Sequence, residues 1–409
     1  MDHLSANQNT IYPDGTSAFL LRILADHLAQ RPTQPPEDVD WEALFRLAQM
    51  HQVSGIVYAQ CKHDIPKDKQ AAFKSKYSAT LFYYANRVRD MSEVGAAFSA
   101  AGIPYCAVKG LEVARYYPAP ALRTMGDCDI VVSPDDTARA IEAMRRLGFQ
   151  DEEEVHAWTC EKDGRMYELH NVLVNSGEFA PEVQKAFFNG FMPYVHDNEL
   201  DWNFHFLFLI MHLRKHFLNG GVGLRQFFDL AVLIVRGPEL DWDWIERKAK
   251  ELYLEKFLYV CCFLLAAWFD ARAPIAYEPL DGEMARTITR MVIKNGVFGY
   301  SNEENQENHR KSALIHADGP KWIKRMKMLV ESTFPAYSVM RNYSGCAYVD
   351  GRPYLLPIAW LQRFGILLTR RDKAATSRVI RGIFTPTHVL DDRQELLNRI
   401  GIELEQFAK

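Results

Sequence analysis

The chain has 409 residues, 48% hydrophobic and 24% charged, with a formal net charge of −4. That length suggests two or three domains, and the composition is that of a soluble globular protein. The negative balance argues against stable, non-specific nucleic-acid binding, which needs a basic surface, but leaves room for a nucleotide in a local positive pocket.

Seven cysteines (Cys61, Cys106, Cys128, Cys160, Cys261, Cys262 and Cys346) with no Cys-x-x-Cys suggest free thiols in a reducing compartment. No basic segment followed by an apolar run opens the chain, so no signal peptide is expected. The longest apolar run, Phe257 to Phe269, is too short to span a bilayer and predicts a buried helix. A cytoplasmic protein without membrane insertion is expected.

In chain order, Leu20, Leu21, Leu24 and Leu28 at helical spacing predict a helix over Ala18 to Gln30, broken by Pro32 to Pro36. A second helix is expected over Trp41 to His51, and a third from Pro66 to Ala101 with one or more breaks. His51 and His63 read as packed or surface histidines rather than ligands. After the turn Gly102-Ile103-Pro104, strand and helix alternate: a strand Tyr105 to Val108, a short helix Leu111 to Tyr117 and a strand Asp127 to Val132. Ser133 and Pro134 then open a helix that runs to Leu147 and stops at Gly148. Strands Val155 to Cys160 and Met166 to Leu173 flank a hairpin turn over Lys162-Asp163-Gly164-Arg165. From about Asn198 helices return: Phe204 to Phe217, Leu224 to Val235, and Trp242 to Phe269 with an interruption near Tyr253. The stretch Pro274 to about Asp318 reads as mixed and polar, with Ser301 to Lys311 an exposed loop. Trp322 to Glu331, Trp360 to Leu368 and Asp391 to Phe407 read as helices.

The chemistry concentrates near the first third. Side chains on a strand alternate faces, so Asp127 and Asp129 are expected to project to one side. Two carboxylates one pleat apart repel unless something positive lies between them, and a divalent cation is the usual solution. An Asp-x-Asp alone also suits an edge strand with two solvated acids. Lys109-Gly110 stands where a strand meets a helix, a natural phosphate site; the same pair also suits a plain turn. If the strand of Glu168 lies beside that of Asp129, three carboxylates converge and suit phosphoryl or nucleotidyl transfer. Glu168 would then bind metal or take a proton from the acceptor hydroxyl; otherwise it is a solvated face residue. His212 and His216 share a helical face, but Leu213 replaces the Glu of a zinc-protease motif. They either face a cleft, with Lys215 or Arg225, or pack between helices while Arg225 pairs with Asp229. The loop Gly220 to Gly223 lacks a P-loop's Gly-Lys-Ser/Thr and reads as a helix–helix turn.

Lys109-Gly110, the helix after it, Arg123 and Gly126-Asp127-Cys128-Asp129-Ile130 resemble the core of the polymerase-beta-type nucleotidyltransferase superfamily. More closely, the chain resembles a family of uncharacterised bacterial nucleotidyltransferases in which Lys-Gly stands for Gly-Ser. Glu168-Leu169-His170, His212-Leu213-Arg214-Lys215-His216 and Leu224-Arg225-Gln226-Phe227-Phe228-Asp229 are similar to its later motifs, as are Trp41 to Val53 and Phe334-Pro335. The sequence departs from the pattern at the missing serine and at Asn171, where an aromatic would be expected.

The resemblance implies an α+β fold: a small mixed β-sheet nucleotidyltransferase core over 85–197, a helical N-terminal segment over 1–84 and a larger helical C-terminal region over 198–409. It implies an NTP donor, ATP foremost, with Mg2+ or Mn2+ on Asp127, Asp129 and Glu168. Lys109, Gly110, Arg123, His212, His216 and Arg225 would bind nucleotide or phosphate. The acceptor stays open. A non-catalytic nucleotide sensor or partner-binding protein, or a kinase-like phosphotransferase, would use the same fold.

Overall fold

The structure, a computed structural model, describes residues 14–153, 158–175, 180–219, 221–297, 334, 337–340, 347–349, 351–369 and 395–402. Asp14 accepts a hydrogen bond from the Ser17 N–H at 2.7 Å and so caps α1 (Gly15–Leu28). Asp40 does the same for α2 (Trp41–Met50). After α3 (Ser54–Cys61) comes α4 (Lys67–Ala100), 34 residues without a break. A Cβ at Gly95 would collide with the Tyr105 hydroxyl, so glycine there lets α4 lie close to the sheet.

The alternating part follows: β1 (Tyr105–Val108), α5 (Gly110–Ala114), β2 (Asp129–Val132), α6 (Thr137–Arg146), β3 (Gln150–Glu153), β4 (Trp158–Lys162) and β5 (Arg165–His170). The five strands form one mixed sheet in the order β1-β2-β5-β4-β3. β2 and β5 are parallel and put Asp129 opposite Glu168. The neighbouring pairs are antiparallel, with Val108 opposite Asp129. Strand alternation sorts the two faces. Ile130, Val132, Tyr167 and Leu169 pack with Val94 and Phe98 of α4 and Ala140, Ile141 and Met144 of α6. Asp129, Glu168 and His170 are therefore left on the opposite face.

Helices then dominate: α7 (Glu182–Asn189), a two-stranded ribbon β6 (Val195–His196) and β7 (Glu199–Leu200), α8 (Trp202–Asn219), α9 (Leu224–Arg236), α10 (Trp242–Glu251), α11 (Glu255–Phe269) and α12 (Gly282–Asn295). The break between α10 and α11 falls at Tyr253, which has φ 55°. Two compact units divide the chain, the first carrying both sheets. The second includes α13 (Tyr337–Met340) and α14 (Leu356–Thr369), with Met340, Val349 and Ala359 buried together. No helix among the described residues is long and apolar enough to cross a membrane.

The α+β class matches the sequence expectation, with corrections of detail. The strand expected from Asp127 begins at Asp129. The helix expected to break between Pro66 and Ala101 is continuous. α3, β3, α7, the β6–β7 ribbon and α12 are additional elements, α12 lying inside the stretch read as mixed and polar. The loop Ser301 to Lys311 and the helix Trp322 to Glu331 lie outside the described residues, as do Val155, His156 and Ala157. Of Asp391 to Phe407 only 395–402 are described, with 395–399 helical.

Candidate active site

The open face of β2 and β5 gathers the charged groups. Donor atoms of Asp129, Glu168 and His170 all lie within 4.8 Å of one another. His170 Nε2 stands 3.3 Å from Asp129 Oδ1 and 3.1 Å from Glu168 Oε2. Lys109 Nζ donates to Asp129 Oδ1 at 3.0 Å and lies 5.7 Å from the centre of the Phe208 ring. Asp129 is buried, so these cations decide its charge. Burial opposes ionisation, but Lys109 and His170 outweigh it and hold its carboxyl well below the usual range. Burial also opposes a charge on His170, and the two carboxylates reverse that, raising its pKa to about 8. His170 is thus mainly protonated at neutral pH. Its contact at 3.1 Å lowers the pKa of Glu168, against burial and the charge of Asp129.

Asp127 stands just before β2, exposed at the mouth, outside the close group. Desolvation, then the charges of Asp129 and Glu168, push its carboxyl upward against the pull of Lys109. The four groups therefore share one field, in which negative charge is incompletely balanced at Asp127.

The turn from β1 into α5 is pinned from below. Lys109 has φ 59°, a conformation that costs a non-glycine residue free energy. Its N–H donates to His205 Nε2 at 3.0 Å, which occupies this donor. His205 is buried, stacks on Trp202 with ring centres 4.8 Å apart, and is kept neutral by burial and nearby cations, its pKa lowered to about 3. Gly110 has φ 25°, and a Cβ there would meet only Met125 Sδ at 3.9 Å.

The other expected residues surround this group. His205, Phe208, His212 and His216 recur at helical spacing on α8. His212 and His216 turn their Nε2 atoms to one another at 2.9 Å. Burial and the charge of Lys109 lower both, His216 to about 3. Arg123 does not join the acids: it is buried and makes a two-pronged pair with Asp229 at 2.8 and 2.7 Å. Tyr117 completes that carboxylate at 2.6 Å. Asp229 therefore pairs with Arg123, where Arg225 was the sequence candidate. Arg225 donates to the Thr124 carbonyl at 2.7 Å, and its buried Nε lacks a hydrogen-bond partner. Together these arginines fix the loop that delivers Asp127.

Sequence reasoning missed a second clamp. Arg87 of α4 is buried, and its two terminal nitrogens donate at 2.5 Å to the carbonyls of Met166 and Gly126. Those carbonyls precede Glu168 and Asp127 in the chain, so one fork ties both acid-bearing segments to α4. Its guanidinium lies 4.3 Å from the centre of the Tyr167 ring. Asp90, fully buried, accepts from Arg165 at 2.6 Å and from Tyr167 at 2.5 Å. His170 and His205 were also missed as site members. For His205 the signal existed, since it lies seven residues before His212 on the same helical face.

Acids on adjacent parallel strands, a lysine turn beside them and a protonated histidine between them suit phosphoryl or nucleotidyl transfer chemistry, in which positioning and charge neutralisation dominate. The family model described as uncharacterised nucleotidyltransferase matches residues 37–270, more than half of the chain, and the chain belongs to that family. Comparisons with curated proteins and with solved structures found no match.

Proposed function

We propose that this nucleotidyltransferase moves a nucleotide from an NTP, with ATP as donor, to a hydroxyl of a small molecule or protein, using Mg2+ or Mn2+. The observation that carries the reading is the register of β2 and β5, which puts Asp129 opposite Glu168 and their donor atoms within reach of one ion. The donor set fits a hard cation through its carboxylates. Asp127, with its raised carboxyl, is the acid that an added positive charge would most relieve. Asp127, Asp129 and Glu168 would hold the ion, which when bound neutralises phosphate charge.

The chain's own residues do the rest. Lys109 moves between Asp129 and the incoming phosphates, and Gly110 leaves room beside them. His170 holds Glu168 and Asp129 in place. The acceptor oxygen attacks the α-phosphorus, the bond to the β-phosphate oxygen breaks, and pyrophosphate leaves with that electron pair. Glu168 takes the hydroxyl proton. His212, His216 and Arg225 form the facing wall and meet phosphate or acceptor. Arg123 acts through Asp229 by holding the loop before Asp127.

Equilibrium binding of ATP with and without Mg2+ tests the site. Binding that needs the metal and falls at least about tenfold in Asp129→Asn is expected, since ligand loss weakens metal sites on that order. Metal-indifferent binding, or an unaffected Asp129→Asn, would refute the assignment.

A further inference from the structure

A cavity of about 390 Å³ lies against the loop that leads to Asp127, walled by Gln49 of α2, by Gln52 and Ser54 just after it, by one face of α4, and by the loop Arg123–Met125. The α4 residues are Lys76, Ala79, Thr80, Tyr83 and Tyr84, spaced so that they share a face. Met125 connects this cavity to the site, since its sulfur is also the nearest atom to the open side of Gly110. A ligand seated in the cavity therefore ends one side chain away from the Lys109-Gly110 turn.

The lining is selective in kind. No carboxylate contributes to it; two amides, two phenol rings, three hydroxyls, Lys76 and the Asp229-paired Arg123 do. Tyr83 is 51% exposed, so a large aromatic face is left to solvent where a flat ligand could cover it. Gln52 Oε1 is buried without a hydrogen-bond partner, a group that ordinarily costs free energy unless satisfied. The terminal torsion of glutamine is soft, so the amide can turn toward a ligand donor. An amide acceptor beside an amide donor matches adenine's exocyclic amine and adjacent ring nitrogen. Tyrosine faces suit base stacking. The volume lies in the range of small-ligand sites, roughly 300–1,000 Å³.

We propose that this cavity seats the adenine of the donor nucleotide, stacked on Tyr83 and Tyr84 and read by the Gln52 amide. The proposal rests on the nucleotidyltransferase reading of the neighbouring acids, and it places the base against the N-terminal helices rather than in the wall made by α8.

Equilibrium binding of ATP, GTP and adenosine in the presence of Mg2+ tests it, using the full chain and the variants Tyr83→Ala, Gln52→Leu and Asp129→Asn. Tyr83 is exposed, so its truncation leaves folding intact, checked by circular dichroism. The wild type is expected to prefer ATP to GTP. Tyr83→Ala should weaken ATP and adenosine alike by roughly tenfold, the order of one lost stack. Gln52→Leu should erase the ATP-over-GTP preference. Asp129→Asn should lose metal-dependent ATP binding yet keep adenosine. If Tyr83→Ala and Gln52→Leu bind ATP, GTP and adenosine as the wild type does while Asp129→Asn loses ATP, the cavity assignment fails and the acid site stands. If Asp129→Asn keeps metal-dependent ATP binding, the transferase reading itself fails.

Discussion

At the scale of single residues, the most exacting arrangement is the Arg123–Asp229 pair, with side chains 4% and 8% exposed. Removing one partner of such a pair leaves an uncompensated buried charge. Arg123→Met should therefore cost about 3–5 kcal/mol of stability. The double variant Arg123→Met/Asp229→Asn should recover part of the loss, as read by urea unfolding. Equal losses in single and double variants would show that the charge is not the cause. His51 provides a second test, away from the acids. Its Nδ1 accepts from the Leu224 N–H at 3.0 Å, so the proton sits on Nε2, which faces the Ile293 carbonyl at 3.1 Å. Burial lowers its pKa from 6.5 to about 4. Between those values the unfolded chain binds the proton and the folded chain does not. Stability therefore falls as pH drops from 6.5 toward 4, by on the order of 3 kcal/mol for this group. His27, also lowered to about 4, adds to the slope. His51→Gln keeps a donor and an acceptor but no titration, and should flatten the dependence measured by urea unfolding at pH 7 and pH 5. An unchanged slope would contradict the assignment. Sequence alone left His51 as a packed or surface histidine, because its partners lie 173 and 242 residues away, beyond any local pattern.

At the scale of elements, the acids are legible because Asp129 opens the wholly buried apolar run of β2 and Glu168 interrupts the alternating pattern of β5. Their parallel pairing was available only through resemblance, since no short-range signal fixes which strands adjoin. β3 was invisible because Gln150-Asp151-Glu152-Glu153 is wholly polar, the composition of an edge strand that resists further pairing. In α12, Met284, Ala285, Ile288 and Val292 form a buried stripe diluted by charged neighbours. α4 looked breakable because its length exceeds most helices, yet it contains no proline and only Gly95, which the contact with Tyr105 requires. Its function in the site follows from Arg87, whose carbonyl partners lie 39 and 79 residues away. Arg87→Met frees both acid-bearing segments. It should weaken Mn2+ binding about 10- to 100-fold, the effect of losing a group that orients ligands. Arg87→Lys, which keeps the charge without the fork, should fall between. Wild-type Mn2+ affinity in a folded Arg87→Met chain would show that α4 does not position the acids.

At the scale of the whole molecule, the alternation of strand and helix and the helical segments on either side of it followed from periodicity, whereas the α+β class with its small mixed sheet came through resemblance. The division into two compact units came from neither, because no linker composition marks it. A chain with net charge −4 offers no general basic surface for polyanions, so in the proposed function nucleotide binding would come from the local cations around Lys109 and from an ion on the acids. ATP with Mg2+ at about 100 times its Kd should stabilise the protein by about 2.7 kcal/mol. The same ATP in EDTA should leave the melting temperature near that of the free chain. Equal stabilisation in EDTA would move the binding site away from Asp127, Asp129 and Glu168.

Transfer itself is tested most directly with ATP labelled separately at the α and the γ phosphate. Each is incubated with Mg2+, the full chain and a pool of candidate hydroxyl acceptors, alongside Asp129→Asn. Label from the α position in an acceptor product, absent with Asp129→Asn, is the expected result. Label from the γ position, or the same product from Asp129→Asn, would contradict nucleotidyl transfer at these acids.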